Sequence, residues 1–248
     1  MSSTNDVILE VKNLKKSFRD HVVHRDISFK LRKGECLGLL GGSGTGKSVI
    51  LRALIGLEKI DSGKIILKGT EIQDYNEDQW LEARKQVSYV FQNGALFDSL
   101  TVYENLAFPL RQHSRLPESE IASRISKVLS QLGLNNTESL YPSELSGGMQ
   151  KRVGLLRSII MDPEIILFDE PTAGLDPFNT LNIQKTIKKM KSLGFTSIFV
   201  SHDMPTATEV CDRILLLKQG RIVEEALPED IEASTSSLRK FMQGTLKL

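Results

Sequence analysis

The sequence predicts an α/β fold carrying an inserted all-α lobe, on three observations. Short aliphatic and β-branched runs, the mark of buried strands, crowd both ends of the chain. The middle, residues 95 to 160, carries helix-period patterns instead. One apolar run empties into a glycine cluster that opens a helix, as strand-to-helix crossovers of α/β folds do. The 248 residues, 40% of them apolar, suffice for an extensive core without covalent staples. With 32 basic against 31 acidic residues the net charge is +1, so no overall field recruits nucleic acid, and no nucleic-acid partner is expected.

Taken in order, "VILEV" from Val7, "ISFKL" from Ile27, "CLGLL" from Cys36 and "KIILK" from Lys64 read as strands. Thr101 and Glu104 then form a capping box ahead of an apolar stripe at Val102, Leu106 and Leu110, predicting a helix that Pro109 bends. Ile121, Ile125, Val128, Leu129 and Leu132 mark a second amphipathic helix between Pro117 and Gly133. A third runs from Met149 through Val153, Leu156 and Ile160 and stops before Pro163. "EIILFD", "TSIFVS", "RILLL" and "RIVEE" return to strands. In the short tail Leu238, Phe241 and Met242 can share a helical face, which packs on its own domain or docks on a neighbour.

Cys36 and Cys211 have no CxxC or metal-ligand spacing and read as small core fillers. The N-terminus lacks the pattern of a secretory leader, and no apolar run reaches the roughly 20 residues that span a bilayer. The expectation is an intracellular chain whose membrane part, if it has one, belongs to a partner.

"LLGGSGTGKS" packs four glycines into six positions, a conformational cost kept only where backbone bends sharply or approaches something closely. Gly41-x-x-x-x-Gly46-Lys47-Ser48 fits the phosphate-binding loop, set as required between a strand and a helix. Backbone N–H groups through Gly42, Ser43, Gly44, Thr45, Gly46 and Val49, with the helix dipole, suit phosphate oxygens; Lys47 adds charge and Ser48 a hydroxyl for Mg²⁺. A glycine-rich turn that binds nothing is the bland alternative. "EIILFDEP" supplies the acids such a site needs: a fully apolar strand delivers Asp169 for Mg²⁺ and Glu170 as general base, unless the two carboxylates merely cap the next element.

"SELSGGMQKR", Ser143 to Arg152, resembles the signature motif of ABC-transporter ATPases, and the other motifs follow in that family's order: Gly41 to Ser48, Gln92 after "SYVF", Asp169 and Glu170, "AGLD" ending at Asp176, and His202 after "SIFVS". The resemblance implies a P-loop NTPase cassette with a RecA-like mixed-sheet core and an inserted all-α signature subdomain. It divides the chain into 1–94 (antiparallel strands plus P-loop), 95–161 (helical subdomain), 162–233 (the rest of the ATP-binding core) and a tail, 234–248. It implies ATP and Mg²⁺ as cofactors, Phe18 stacking on adenine, Gln92 sensing Mg²⁺ and γ-phosphate, and His202 orienting the attacking water. Ser146, Gly147, Gly148, Met149 and Gln150 would meet the nucleotide of a second copy, and Asp176 would lie at the interface between copies. Read alone, Phe18 is a turn aromatic, Ser146 to Gly148 a helix cap and His202 a structural histidine. Phe18 stands where tyrosine is more frequent, and Met149 where many signatures have glutamine.

"VFQNGALFDSLTVYENLAFPLRQHSRLP", Val90 to Pro117, is similar to the ATPases of the Mla and Mce lipid-transport systems. That similarity implies lipid movement between membranes, an integral-membrane permease, an Mce-domain protein, in some systems a small cytoplasmic accessory protein, and a peripheral position on the cytoplasmic face of the inner or plasma membrane. Phe97, Val102 and Phe108 would otherwise be ordinary core residues. An amino-acid importer ATPase shares every catalytic motif and is the alternative; a soluble non-transport ABC ATPase is the third reading.

Overall fold

The computed structural model describes residues 7–91, 95–231 and 237–245. Ten strands form one sheet: β1 (Val7–Phe18), β2 (His21–Arg32), β3 (Cys36–Leu40), β4 (Ser62–Leu67), β5 (Thr70–Glu71), β6 (Val87–Val90), β7 (Ile165–Asp169), β8 (Thr196–Ser201), β9 (Arg213–Lys218) and β10 (Arg221–Ala226). Their order is β5-β4-β1-β2-β10-β9-β3-β8-β7-β6. From β9 to β6 every neighbouring pair is parallel. Strands β10 and β9 are antiparallel, as are β1, β2, β4 and β5. The halves meet at one parallel pair, Arg221 beside Asp26.

The helices are α1 (Lys47–Leu54), α2 (Glu77–Gln86), α3 (Val102–His113), α4 (Glu118–Gln131), α5 (Gly147–Ile159), α6 (Pro177–Ser192), α7 (Met204–Val210), α8 (Pro228–Ile231) and α9 (Ser237–Met242). The side-chain period of two splits each buried strand between two clusters. Leu37, Leu39, Ile165, Leu167, Ile198 and Val200 face α1 and α2; Cys36, Leu40, Ile166, Phe168 and Phe199 face α3 through α7. The inserted helices therefore share the sheet's own core. Among the described residues no helix is long and apolar enough to cross a membrane.

Thr101 and Glu104 make the predicted reciprocal cap, and α3 continues with Pro109 inside it to His113. Fully buried Leu106 and Leu110 hold both sides of the proline on one cluster. Helix α5 begins at Gly147, close to the expected start near Met149, with Ser146 as its cap. Leu238 on α9 is fully buried, with Phe241 and Met242 packed on the same cluster, so the tail's apolar face covers its own domain. The thiols of Cys36 and Cys211 are free and buried, their sulfurs 4.0 Å apart.

A buried ion network fastens the halves of the sheet together. Glu35, just ahead of β3, accepts from Arg213 Nε at 2.8 Å and from the Arg32 amide at 2.8 Å. Arg213 on β9 also donates to the Lys30 carbonyl on β2 at 2.6 Å and to Glu225 on β10 at 2.8 Å.

Candidate active site

Strands β3, β8 and β7 lie side by side in register, Leu40 beside Ser201 and Val200 beside Asp169, so the segments that follow them emerge on one edge. In parallel sheets that carboxyl edge is where ligands bind. The glycine loop leaves β3 there, and Gly46, at φ +91°, caps α1 in a left-handed conformation. Lys47 is buried; its ammonium donates to the carbonyls of Gly41 and Gly42 at 2.8 and 3.0 Å and lies 3.6 Å from Glu170 Oε1. Burial pushes the Lys47 pKa below its ordinary value, and the Glu170 carboxylate opposes that shift. Thr45 ties the loop to itself, its hydroxyl donating to the Gly42 carbonyl at 2.9 Å.

Ser48 Oγ donates to Asp169 Oδ1 at 2.7 Å, joining groups 121 residues apart. The Tyr89 hydroxyl on β6 donates to the other oxygen, Oδ2, at 2.5 Å. Burial, and then Asp169 itself, raise the Tyr89 pKa, keeping the phenol a neutral donor. Paired hard oxygens from a hydroxyl and a carboxylate suit Mg²⁺, which takes few protein ligands and completes its shell with phosphates and water. Among the described residues no group of three or more His, Cys, Asp or Glu that could hold a metal ion is found.

Glu170 has φ +50°, sparsely populated for a residue with a side chain, and its amide donates to the Val200 carbonyl at 3.0 Å. That turn swings its carboxylate toward β8, where Ser201 Oγ donates to it at 3.2 Å and His202 Nδ1 stands 2.9 Å away. Ser43, Gly44, Lys47, Ser48, Val49, Glu170 and His202 line one cleft together with His21 and Val23 of β2. The two β2 residues escaped the sequence reading, because a polar residue at a hairpin end hides the alternation. Phe18 is 42% exposed at the tip of β1, with the Lys16 ammonium 4.6 Å from its ring centroid, and it does not line the phosphate cleft itself. Gln92 falls outside the described residues.

The signature residues gather elsewhere. Ser146 caps α5, its Oγ accepting from the Met149 amide at 3.3 Å, and Asp176 caps α6, accepting from the Asn179 amide at 3.0 Å. That amide N–H holds the Asp176 carboxyl below the usual carboxylate range. Gly148 joins the two helix starts: a Cβ there would lie 1.9 Å from Asn179 Oδ1. The Asn179 side chain in turn donates to Asp176 at 2.5 Å. None of these groups lines the cleft beside Lys47. Met149 packs against the core, and the Gln150 amide donates to the Pro142 carbonyl at 2.8 Å, so both side chains serve their own chain. Gly148→Ala is expected to displace Asn179 from Asp176, lowering ATP turnover while the melting temperature moves by a few degrees; steady-state assay and thermal melt check this.

The family described as ABC transporter matches residues 24–173. The phospholipid transport ATP-binding protein MlaF of Haemophilus influenzae is 34% identical over 97% of this chain and 92% of its own length. The methionine import ATP-binding protein MetN of Carboxydothermus hydrogenoformans is 40% identical over 83% of this chain and 61% of its own. A solved ATP-binding cassette, dimeric in a post-hydrolysis state with ADP and Pi, superposes with a TM-score of 0.80 at 29% identity, covering 89% of this chain and 98% of that one. With the loop, its lysine and the strand-end carboxylates on one sheet edge, the chain belongs to the ABC transporter family, as an ATP-binding subunit that hydrolyses ATP.

Proposed function

We propose that ATP hydrolysis by this subunit drives phospholipid or related lipid movement between membranes. The work passes through a separate integral-membrane permease and an Mce-domain lipid-binding protein, with the chain held on the cytoplasmic membrane face by the permease. The observation that carries this reading is an exposed aromatic groove within the stretch that resembles lipid-transport ATPases. Phe91, Phe97 and Phe108 are 46, 45 and 43% exposed, whereas Val102 is fully buried. The Phe97 and Phe108 rings lie 5.2 Å apart, with the Arg157 guanidinium 5.4 Å from the Phe97 ring. Clustered exposed rings with an arginine are the composition of a protein interface. The near full-length match to a phospholipid-system protein supports the cargo. Import of an amino acid is the second reading, favoured by the 40% identity to MetN, though this chain spans 61% of that protein.

In the chemistry we assign to the cleft, the loop amides and Lys47 bind the phosphates, and Phe18 stacks on adenine. Ser48 and Asp169, with Gln92, would hold Mg²⁺, which when bound neutralises phosphate charge. Glu170 takes the proton of the attacking water. His202 donates from Nδ1 to Glu170, which leaves Nε2 as an acceptor that can orient the attacking water. Because Ser146, Gly147, Gly148 and Asp176 lie away from their own chain's cleft, the signature residues serve the nucleotide of a second copy, Asp176 lies at the interface between the copies, and the working form is a homodimer.

The test is affinity capture of the tagged chain from detergent-solubilised native membranes, read by peptide mass spectrometry. A permease together with an Mce-domain protein supports lipid transport; an amino-acid permease overturns it. Replacing Phe97 and Phe108 together by Asp is expected to abolish recovery of the permease while the purified chain still binds ATP.

A further inference from the structure

Buried directly beneath the phosphate loop is a histidine that the chemistry above does not use. His24 on β2 is 1% exposed, and its Nε2 lies 3.1 Å from the Gly46 carbonyl oxygen. A carbonyl oxygen only accepts, so Nε2 carries the proton, and the ring is the neutral tautomer with a bare lone pair on Nδ1. That Nδ1 is buried without a hydrogen-bond partner. Burial pushes the His24 pKa down to about 4, which keeps the ring neutral at physiological pH. A buried polar atom left unsatisfied costs stability, and leucine, which has no polar atom, would avoid that cost. Something must offset it.

The offset lies in what the other nitrogen holds. Gly46 caps α1 with no side-chain cap bond, so the cap gains no support from its own residue. Its carbonyl accepts from the amides of Val49 and Ile50 at 3.0 and 3.2 Å, and His24 is its additional donor from outside the helix. The contact is close: a Cβ on Gly46 would fall 2.5 Å from His24 Nε2 and 2.4 Å from Val23 Cγ1. In a planar trans peptide the carbonyl of Gly46 and the amide of Lys47 point in opposite directions. Drawing the Gly46 oxygen toward β2 therefore aims the Lys47 N–H away from β2, out of the helix start and toward an anion. On the far side of His24 the backbone is fixed as well, since Arg25 N donates to the Gly220 carbonyl at 2.8 Å.

We propose that His24 is a positioning residue for nucleotide binding: its Nε2–H clamps the Gly46 carbonyl and so presets the first amides of α1 toward the phosphates of ATP. This rests on the reading of the loop as the phosphate site. It makes stability and affinity respond in opposite directions to one substitution. His24→Leu removes the orphaned lone pair and the clamp together, so the protein melts at the same or a higher temperature yet binds nucleotide more weakly. One hydrogen bond of ordinary worth sets the loss at roughly fivefold in Kd. His24→Gln restores a donor of similar reach and recovers affinity to within about twofold of the original chain, an estimate on the same basis.

The measurement is titration calorimetry of the full-length protein and both variants with Mg²⁺ and the non-hydrolysable analogue AMP-PNP, beside thermal melts. A fivefold loss in His24→Leu with rescue in His24→Gln carries the proposal. Unchanged affinity in His24→Leu overturns it, and so does His24→Gln binding as weakly as His24→Leu, which would make the ring's bulk the cause. If His24→Leu does not fold, His24→Gln is set against His24→Met, which fills the space without a donor, and equal affinities overturn the clamp. Lys47→Ala is the control for the underlying reading. AMP-PNP binding unchanged there would remove the loop as the phosphate site, a failure distinct from that of His24.

Discussion

Glu170→Gln retains ATP binding, loses roughly 10²- to 10⁴-fold in turnover as removal of a catalytic base does, and accumulates as a dimer when ATP and Mg²⁺ are added. The amide keeps the shape of the carboxylate, so its contacts with Ser201 and His202 survive in altered polarity. What it loses is the capacity to take a proton from water. With the nucleotide uncleaved, the closed pair of subunits has no product to release. Size-exclusion chromatography with and without ATP, beside a phosphate-release assay, reads both effects. Turnover near that of the unaltered protein would assign the base elsewhere.

Arg213→Met destabilises the fold by about 3–5 kcal/mol, the cost of stranding a buried partner charge. Glu35 is 8% exposed and takes two of its hydrogen bonds from the Arg213 guanidinium. Removing the cation leaves that carboxylate with only the Arg32 amide at 2.8 Å and the Arg32 guanidinium at 3.9 Å, and the Lys30 carbonyl loses the Arg213 donor too. Urea unfolding followed by circular dichroism gives the difference. The double variant Arg213→Met with Glu35→Leu recovers much of the loss, because an apolar pair of similar volume replaces both charges. A double variant as unstable as the single one would show that packing, not the stranded charge, sets the cost.

The parts legible in the sequence are those whose physics is local. A glycine loop between strand and helix, a capping box such as Thr101 with Glu104, and an apolar strand ending in Asp169 each announce themselves within about ten residues, the length of one element or turn. Helix α2 stayed hidden because only Trp80 and Ala83 on it are buried, too few to show a period. Strand β6 stayed hidden because its four residues include Ser88 and Tyr89, and Tyr89 is polar for a reason found 80 residues away at Asp169. His24 breaks the apolar pattern of β2 for a comparable reason, its partner lying 22 residues on at Gly46. Phe97 and Phe108 sit on the same stretch as Val102, yet the structure exposes the first two and buries the third. Composition cannot separate a core ring from an interface ring.

The register that sets Leu40 beside Ser201 and Asp169 beside Val200 has a consequence for how the protein comes into being. The meeting of the loop with Asp169, Glu170 and His202 depends on pairings between distant segments, and such pairings form late because chain closure must be completed before they are rewarded. A nascent chain still lacking β8 carries an intact glycine loop with no strand beside β3 to hold its far side. Nucleotide that needs the completed cleft binds the finished state in preference to an unfinished one and favours it by mass action. The cellular ATP pool is thus a late selector of completed molecules, in which assembly of the sheet and competence for the reaction arrive in the same step.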